Sequence, residues 1–148
     1  MRKLMFAAML AAPLALAMSA PAVAQNYPFD YGNFADVTGI DILDGGGIEY
    51  ANYLAKEWRK NQEFAKSQGW ISSYEVMTNV YARKGEPDIY LITRFSRLAD
   101  AAEEMKRDEA YRAHMQRTVT QMETESGDRA KFRKLAGSML MRELRFKK

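Results

Sequence analysis

The sequence predicts an α+β fold, a ferredoxin-like domain whose strands and helices follow the order β-α-β-β-α-β. Three observations predict it. Apolar residues recur at three- and four-residue spacing over 48–67, strand-like alternation extends over 70–95 with an interruption at Lys84–Pro87, and a second helical region precedes a terminal alternating segment. Right-handed crossovers place both helices on one face of a four-stranded antiparallel sheet.

Length and composition favour one soluble domain. The chain has 148 residues, of which 47% are hydrophobic and 28% charged, with a formal net charge of +3. The absence of cysteine excludes disulfides, thiolate zinc sites and thiol nucleophiles. The small charge surplus also argues against a nucleic-acid partner, which would need a basic surface.

Residues 1–24 have the pattern of a cleaved signal peptide. Arg2 and Lys3 precede an uncharged apolar run from Leu4 to Met18, and Ala22-Val23-Ala24 supplies small residues before a cleavage site at Gln25. The run is too short for a membrane anchor, which is the alternative interpretation. We therefore expect a periplasmic or secreted protein, nearly neutral after cleavage and without a membrane partner.

The first half of the mature chain is predicted to be a leader, a strand and a helix. Residues 25–33 form an extended aromatic-rich leader that lies on the domain, or alternatively a lid or dimer arm. A single α+β domain follows over 34–146, beginning with a strand over 34–43. Three glycines then form a turn, without the spacing of a nucleotide-binding loop. The helix over 48–67 ends at Gly69.

The second half is predicted to be a hairpin, a helical region and a last strand. Strands over 70–83 and 88–95 flank the hairpin, and Ser96 is the expected N-cap of the second helical region. This region is one long helix or two pieces broken near Asp108, and it is interrupted around Gly127. The last strand starts at Gly137 and continues to Phe146.

The sheet face opposite the helices is predicted to need a cover. The second and third strands carry apolar or aromatic residues on both faces, as at Met77, Val76, Tyr90 and Leu91. A simply solvated face would be polar at alternate positions. The expected cover is the same face of a second copy, which predicts a homodimer; the leader or the extra helical segment is the alternative.

The sequence also resembles the dimeric α-β barrel superfamily over nearly all of residues 34–146. Within it, the chain is similar to small exported proteobacterial proteins of unknown function. The motifs that carry this resemblance are Asp36-Val37-Thr38-Gly39-Ile40-Asp41, Tyr50-x-x-Tyr53-Leu54, Trp58, Gln68-Gly69-Trp70-Ile71-Ser72-Ser73-Tyr74, Gly85-Glu86-Pro87-Asp88-x-Tyr90-Leu91, Gly137-Ser138 and Arg142-Glu143-Leu144. The resemblance implies the fold, but its relatives include cofactor-free monooxygenases, haem-degrading enzymes, stress-responsive proteins and lyases.

The candidate ligand-binding residues are polar or aromatic side chains at positions that should be partly buried. Charged groups inside strands are costly unless paired. They therefore either face the barrel lumen and orient a ligand, or pair with one another across strands. The set is Asp41, Glu75, Asn79 and Arg94, with Tyr74 and Trp58 as aromatic members.

No metal or cofactor site is expected. His114 is the single histidine, lies among polar residues of the second helical region, and is interpreted as a surface residue; haem ligation by it is the alternative. The leading hypothesis is an exported homodimeric barrel that binds a small, partly apolar molecule in its lumen without catalysis. The alternatives are a cofactor-free monooxygenase or haem-degrading enzyme, and a structural or stress-related dimer with a packed lumen.

Overall fold

Four strands form one antiparallel sheet in the computed structural model, which describes residues 27–148. Their order across the sheet is β2-β3-β1-β4, compatible with a ferredoxin-like chain, and the α+β prediction is confirmed. The strands are β1 Phe29–Ile42, β2 Ser73–Thr78, β3 Ile89–Phe95 and β4 Arg133–Phe146. The signal peptide prediction lies outside the described residues.

β1 begins earlier than the predicted strand, because it includes residues 29–33 of the expected leader. Phe29 is opposite Phe146 of β4, with ring centroids 4.7 Å apart. The register shifts between Tyr31 and Phe34, where β1 has one residue more than β4. Such a bulge interrupts the alternation of a strand, which explains why the sequence pattern shows no periodicity here.

One helix without a break connects β1 to β2 and covers the centre of the sheet. It consists of α1 Gly47–Tyr53, a π-helical turn Leu54–Trp58 and α2 Arg59–Ser67, together called the first helix. It packs Tyr50 and Leu54 against Ile40 of β1, and both Ile40 and Tyr50 are only 1% exposed. The helix is present where the apolar spacing predicts it, but its core face is Tyr50 and Leu54, whereas Ile48 is 73% exposed.

The second helical region is two helices, α3 Ala101–Met115 and α4 Val119–Arg129. The break is at Gln116, whose φ of 55° is left-handed, and not near Asp108. The N-cap of α3 is Asp100, which accepts a hydrogen bond from the Glu103 amide at 2.8 Å, so the Ser96 prediction is wrong. Neither helix contains a buried residue. Both contact the first helix, α3 through the stack of His114 on Phe64 and α4 through Arg129, which lies 4.5 Å from the ring centroid of Tyr53.

The opposite face of the sheet is bare within residues 27–148. Its centre is Ala35, Val37 and Ile92, each 8% exposed and packed together. The flanking Met77, Met139 and Met141 are half exposed. Neither face of the sheet is therefore purely polar, as the sequence pattern indicated.

Candidate functional site

A cleft lies on the helix side of the sheet, between the first helix and the segment that leads into α3. It consists of two cavities, of about 490 and 290 Å³, that meet at Asp36, Gln62 and Thr93. Together they have the size of a small-molecule site. Most of the other lining side chains are aromatic, apolar or basic: Trp70, Ile71, Phe95, Arg97, Leu98 and Arg107 in the larger cavity, and Tyr50, Tyr53, Trp58, Leu91, Arg133 and Leu135 in the smaller one.

Asp36 is the acidic group on the floor of the cleft where the two cavities meet. Alternation along β1 places it on the same face as Phe34 and Ile40, and its Cα partner on β3 is Thr93. Its carboxylate accepts a weak hydrogen bond from Thr38 at 3.4 Å. No lysine or arginine within residues 27–148 forms an ion pair with it. The cleft therefore has a carboxylate free to accept hydrogen bonds from a ligand.

Gln62 stands on the first helix above this carboxylate. Its side-chain oxygen accepts a hydrogen bond from the Thr93 hydroxyl at 3.4 Å. The amide nitrogen makes no hydrogen bond within the described part of the chain, and an amide nitrogen has two donor hydrogens. Asp36 and Gln62 thus provide an acceptor and a donor between two aromatic-walled cavities.

Charged groups of both signs line the α3 side of the larger cavity. Arg97 and Arg107 both donate to the Glu103 carboxylate, at 2.5–3.1 Å, and these bonds lower the pKa of Glu103 to about 2. Glu104 and Asp108 line the same cavity, so three carboxylates lie beside the two guanidinium groups. The Arg107 guanidinium also lies 5.5 Å from the ring centroid of Trp70, which lines the same cavity.

Tyr50 closes the inner end of the smaller cavity. Burial and, to a smaller extent, the negative form of Tyr53 raise its pKa to about 12, while the nearby Arg133 opposes the shift. Tyr50 is therefore a neutral wall of the cavity at physiological pH and not a source of protons.

The structure brings two of the predicted ligand-binding residues together on the helix side of the sheet. Trp58 and Tyr74 meet edge to face, with ring centroids 5.4 Å apart. The Tyr74 hydroxyl donates to Glu63, and this bond raises the pKa of Tyr74. Trp58 also lines the smaller cavity, whereas Tyr74 does not.

The other four predicted residues lie elsewhere. Glu75 and Arg94 form a 2.8 Å ion pair on the bare face of the sheet, where both are nearly half exposed. Asn79 donates to the Pro87 carbonyl at 3.2 Å and so stabilises the β2–β3 hairpin. Asp41, near the end of β1, is opposite Lys134. These residues share no cavity, and their ligand-binding role stays a prediction.

His114 is more buried than the surface position expected from its neighbours. Its ring stacks on Phe64 with centroids 4.0 Å apart and planes within 5° of parallel. Its Nε2 is buried and has no hydrogen-bond partner within residues 27–148. His114 lines neither cavity of the cleft.

Sequence reasoning did not select Asp36, Gln62 and Thr93 as site residues. A signal was present for Asp36, because it alternates with Phe34, Thr38 and Ile40 on the strand face that the helix pattern requires to be covered. Gln62 and Thr93 carried no such signal, since polar residues on a helix or strand are common.

Comparison with known proteins does not indicate a function, so a functional conclusion depends on the residues of the cleft. No protein-family model, curated protein or solved structure matches this chain. Between Tyr27 and Lys148, no helix has the length and apolar character to cross a membrane, and no group of three or more His, Asp or Glu side chains has the geometry of a metal site.

Proposed function

We propose that this chain is an exported homodimer that binds a small, partly apolar molecule in the cleft beside Asp36. The observation that supports this most is the unpaired carboxylate between two cavities with aromatic walls. A carboxylate in such a place contributes little to stability and is available to a bound molecule. Ligand sites commonly combine apolar walls with a few polar groups that orient the ligand.

The lining suggests the class of ligand. Trp58, Trp70 and Phe95 offer flat apolar surface, and Asp36 accepts hydrogen bonds next to it. A ring-bearing molecule with an ammonium or another strong donor group fits this combination. Such a charge-assisted hydrogen bond is stronger than a neutral one.

The proposed dimer uses the bare face of the sheet. Two copies that pack these faces together would cover the half-exposed methionines around the buried Val37 and Ile92, as in the dimeric α-β barrel superfamily that the sequence resembles. Membership of that superfamily, and kinship with small exported proteobacterial proteins, belong to this proposal. The oxygenase and ligand-free dimer hypotheses have no specific observation in their favour and stay predictions.

A matched pair of probes tests the cleft. Tryptamine and indole-3-acetate have similar rings and opposite charge, and isothermal titration calorimetry measures their affinities. We expect tryptamine to bind more tightly, and Asp36→Asn to weaken it by about tenfold or more, because a charged hydrogen bond is worth about 1.5–3 kcal/mol. Asp41→Asn, on the other sheet face, is the control. Equal affinities for the two probes, or an equal loss in both variants, would refute the site.

Oligomeric state is tested separately. Native mass spectrometry of protein purified from its own host reads the dimer mass and any retained ligand together. Met139→Lys combined with Met141→Lys should yield monomers, because the charges would face the partner sheet. Met105→Lys is the control, since Met105 is 73% exposed on α3. A monomeric parent protein, or a dimer that survives the double substitution, would contradict the proposed interface.

A further inference from the structure

A second groove lies on the other flank of the first helix, between that helix and β2. Its volume is about 500 Å³, and its lining is almost entirely apolar. Leu54 and Trp58 form the helix wall, and Tyr74, Val76 and Ile89 form the sheet wall. Val76 is 46% exposed, which is unusual for a β-branched residue facing a helix. The groove therefore has an apolar lining that is open to solvent.

The groove runs along an unpaired strand edge. β2 lies at one edge of the sheet, and its outer side has no partner strand within residues 27–148. The Asn79 amide donates to the Asp88 carbonyl at 2.8 Å, directly after the Thr78–Ile89 pair. In an antiparallel ladder, hydrogen-bonded positions alternate. The N–H and C=O groups of Tyr74, Val76 and Thr78 therefore point away from the sheet.

The residues of β2 that line the groove offer both apolar side chains and free backbone hydrogen-bonding groups. Tyr74 and Val76 present their side chains to the groove and their backbone groups to the free edge beside it. A chain paired with this edge would lie about 4.8 Å from β2 and place alternate side chains toward the helix. A small apolar molecule would use the groove but not the edge.

The helix leaves space for such a chain. Ala51 and Ala55 are four residues apart, line the groove and are exposed. Larger side chains at these positions would cover the edge of β2. The π-helical turn from Leu54 to Trp58 lies in the same stretch, and such turns are frequent at functional sites.

We propose that this groove binds an extended peptide, which adds to β2 as a fifth, antiparallel strand. The peptide has apolar side chains at alternate positions and a carboxylate at its carboxyl end. Antiparallel pairing places that end beside Tyr74, where Arg59 also lines the groove. Glu63, bonded to the Tyr74 hydroxyl, is the acidic group nearby, and Lys56 and Lys60 flank Arg59 on the helix.

Charge argues against β4 of a second copy as the occupant. In the same antiparallel arrangement, the carboxyl end of β4 would bring Lys147 and Lys148 toward Arg59. Like charges that face each other across an interface are unfavourable. A separate peptide with an acidic end has the complementary charge.

The test uses a fluorescein-labelled hexapeptide, Thr-Val-Thr-Ile-Thr-Val, with a free carboxyl end, and fluorescence anisotropy with the full mature chain. A second peptide is N-methylated at the amides that would pair with β2. We expect saturable binding of the first peptide and at least about tenfold weaker binding of the second, because it lacks donors for the strand edge. Amidation of the carboxyl end should also weaken binding.

Two variants locate the site. Ala55→Trp fills the groove and should weaken binding by about tenfold or more, whereas Ala102→Trp, at an exposed alanine on α3, should not. Val76→Pro is a second variant and should also weaken binding. Proline is tolerated where a strand N–H faces outward, but it cannot donate a hydrogen bond to an added strand. Circular dichroism verifies that each variant is folded.

Several results would overturn the proposal. Absence of binding, or equal binding of the N-methylated peptide, would exclude strand addition. Equal effects of Ala55→Trp and Ala102→Trp would exclude the groove. Sedimentation velocity in which Ala55→Trp converts a dimer to monomers would identify a second copy as the occupant. None of these results depends on the ligand of the Asp36 cleft.

Discussion

Replacement of Ile40 by alanine should strongly destabilise this fold. Ile40 is 1% exposed and packs against Tyr50 and Leu54 at the centre of the contact between sheet and helix. The substitution removes three carbon atoms, which costs about 2.4 kcal/mol at about 0.8 kcal/mol for each buried methylene. The remaining cavity adds to this loss, so the expected total is about 3–4 kcal/mol.

Urea denaturation measures this loss. The midpoint should fall while the slope m stays the same, because the substitution changes the packing and not the surface exposed on unfolding. Ile48→Ala is the control with the same chemical change, since Ile48 lies on the first helix and is 73% exposed, and its effect should stay within about 0.5 kcal/mol. A loss below about 1 kcal/mol at Ile40, or similar losses at both positions, would refute the assignment of the core.

Three further predictions concern titration and helix capping. The folded-state pKa of Tyr50 is raised from 10.0 to about 12. The neutral hydroxyl therefore contributes fully to stability below pH 10, and this contribution is lost as the pH rises to 12. Tyr50→Phe should remove about 2–3 kcal/mol of this alkaline destabilisation, measured by urea unfolding at several pH values. Arg97 and Arg107 lower the pKa of Glu103 to about 2, and carbon-13 NMR should show the carboxyl titrating near that value. The contribution of Glu103 to stability should be present above pH 4.5 and fall as the pH approaches 2. Thr118→Ala should lower stability by about 1 kcal/mol in thermal unfolding, because it removes the capping box of α4.

Each of these predictions has a specific control. Tyr81→Phe, at a residue 90% exposed, should leave the alkaline transition unchanged. Glu103→Gln should abolish the corresponding acid-dependent component, and a Glu103 titration near pH 4.5 would show that the arginine cluster does not form in solution. Thr120→Ala, inside α4, should be neutral or stabilising because alanine has the higher helix propensity; a larger loss there than at Thr118 would contradict the cap.

The fold could be predicted because its signals are local. The three- and four-residue spacing of the first helix and the alternation of β3 depend only on which side of an element is covered. Prediction failed where local geometry departs from a regular period. The bulge after Tyr31 hid the first residues of β1, and the left-handed Gln116 divided a helical region at a point that the apolar pattern did not mark.

The candidate site was only partly predictable, for a different physical reason. Trp58 was selected from the sequence and lines the cleft, but Asp41 and Glu75 lie on other parts of the sheet. An acidic residue in a strand indicates an unusual environment, but the sequence does not show whether a cation forms an ion pair with it. For Glu75 the compensation is Arg94, on the neighbouring strand. For Asp36 no lysine or arginine of residues 27–148 forms an ion pair.

The sequence by itself determined the fold class, the element order and the two-sided apolar character of the sheet, because these follow from periodicity and from the handedness of chain connections. Only the tertiary structure decided where space remains. The cleft at Asp36 lies between the sheet, the first helix and α3, and the groove beside Val76 lies between the first helix and β2. The shape of a cavity depends on how elements that are far apart in the sequence pack together, and this packing cannot be predicted from local residue patterns.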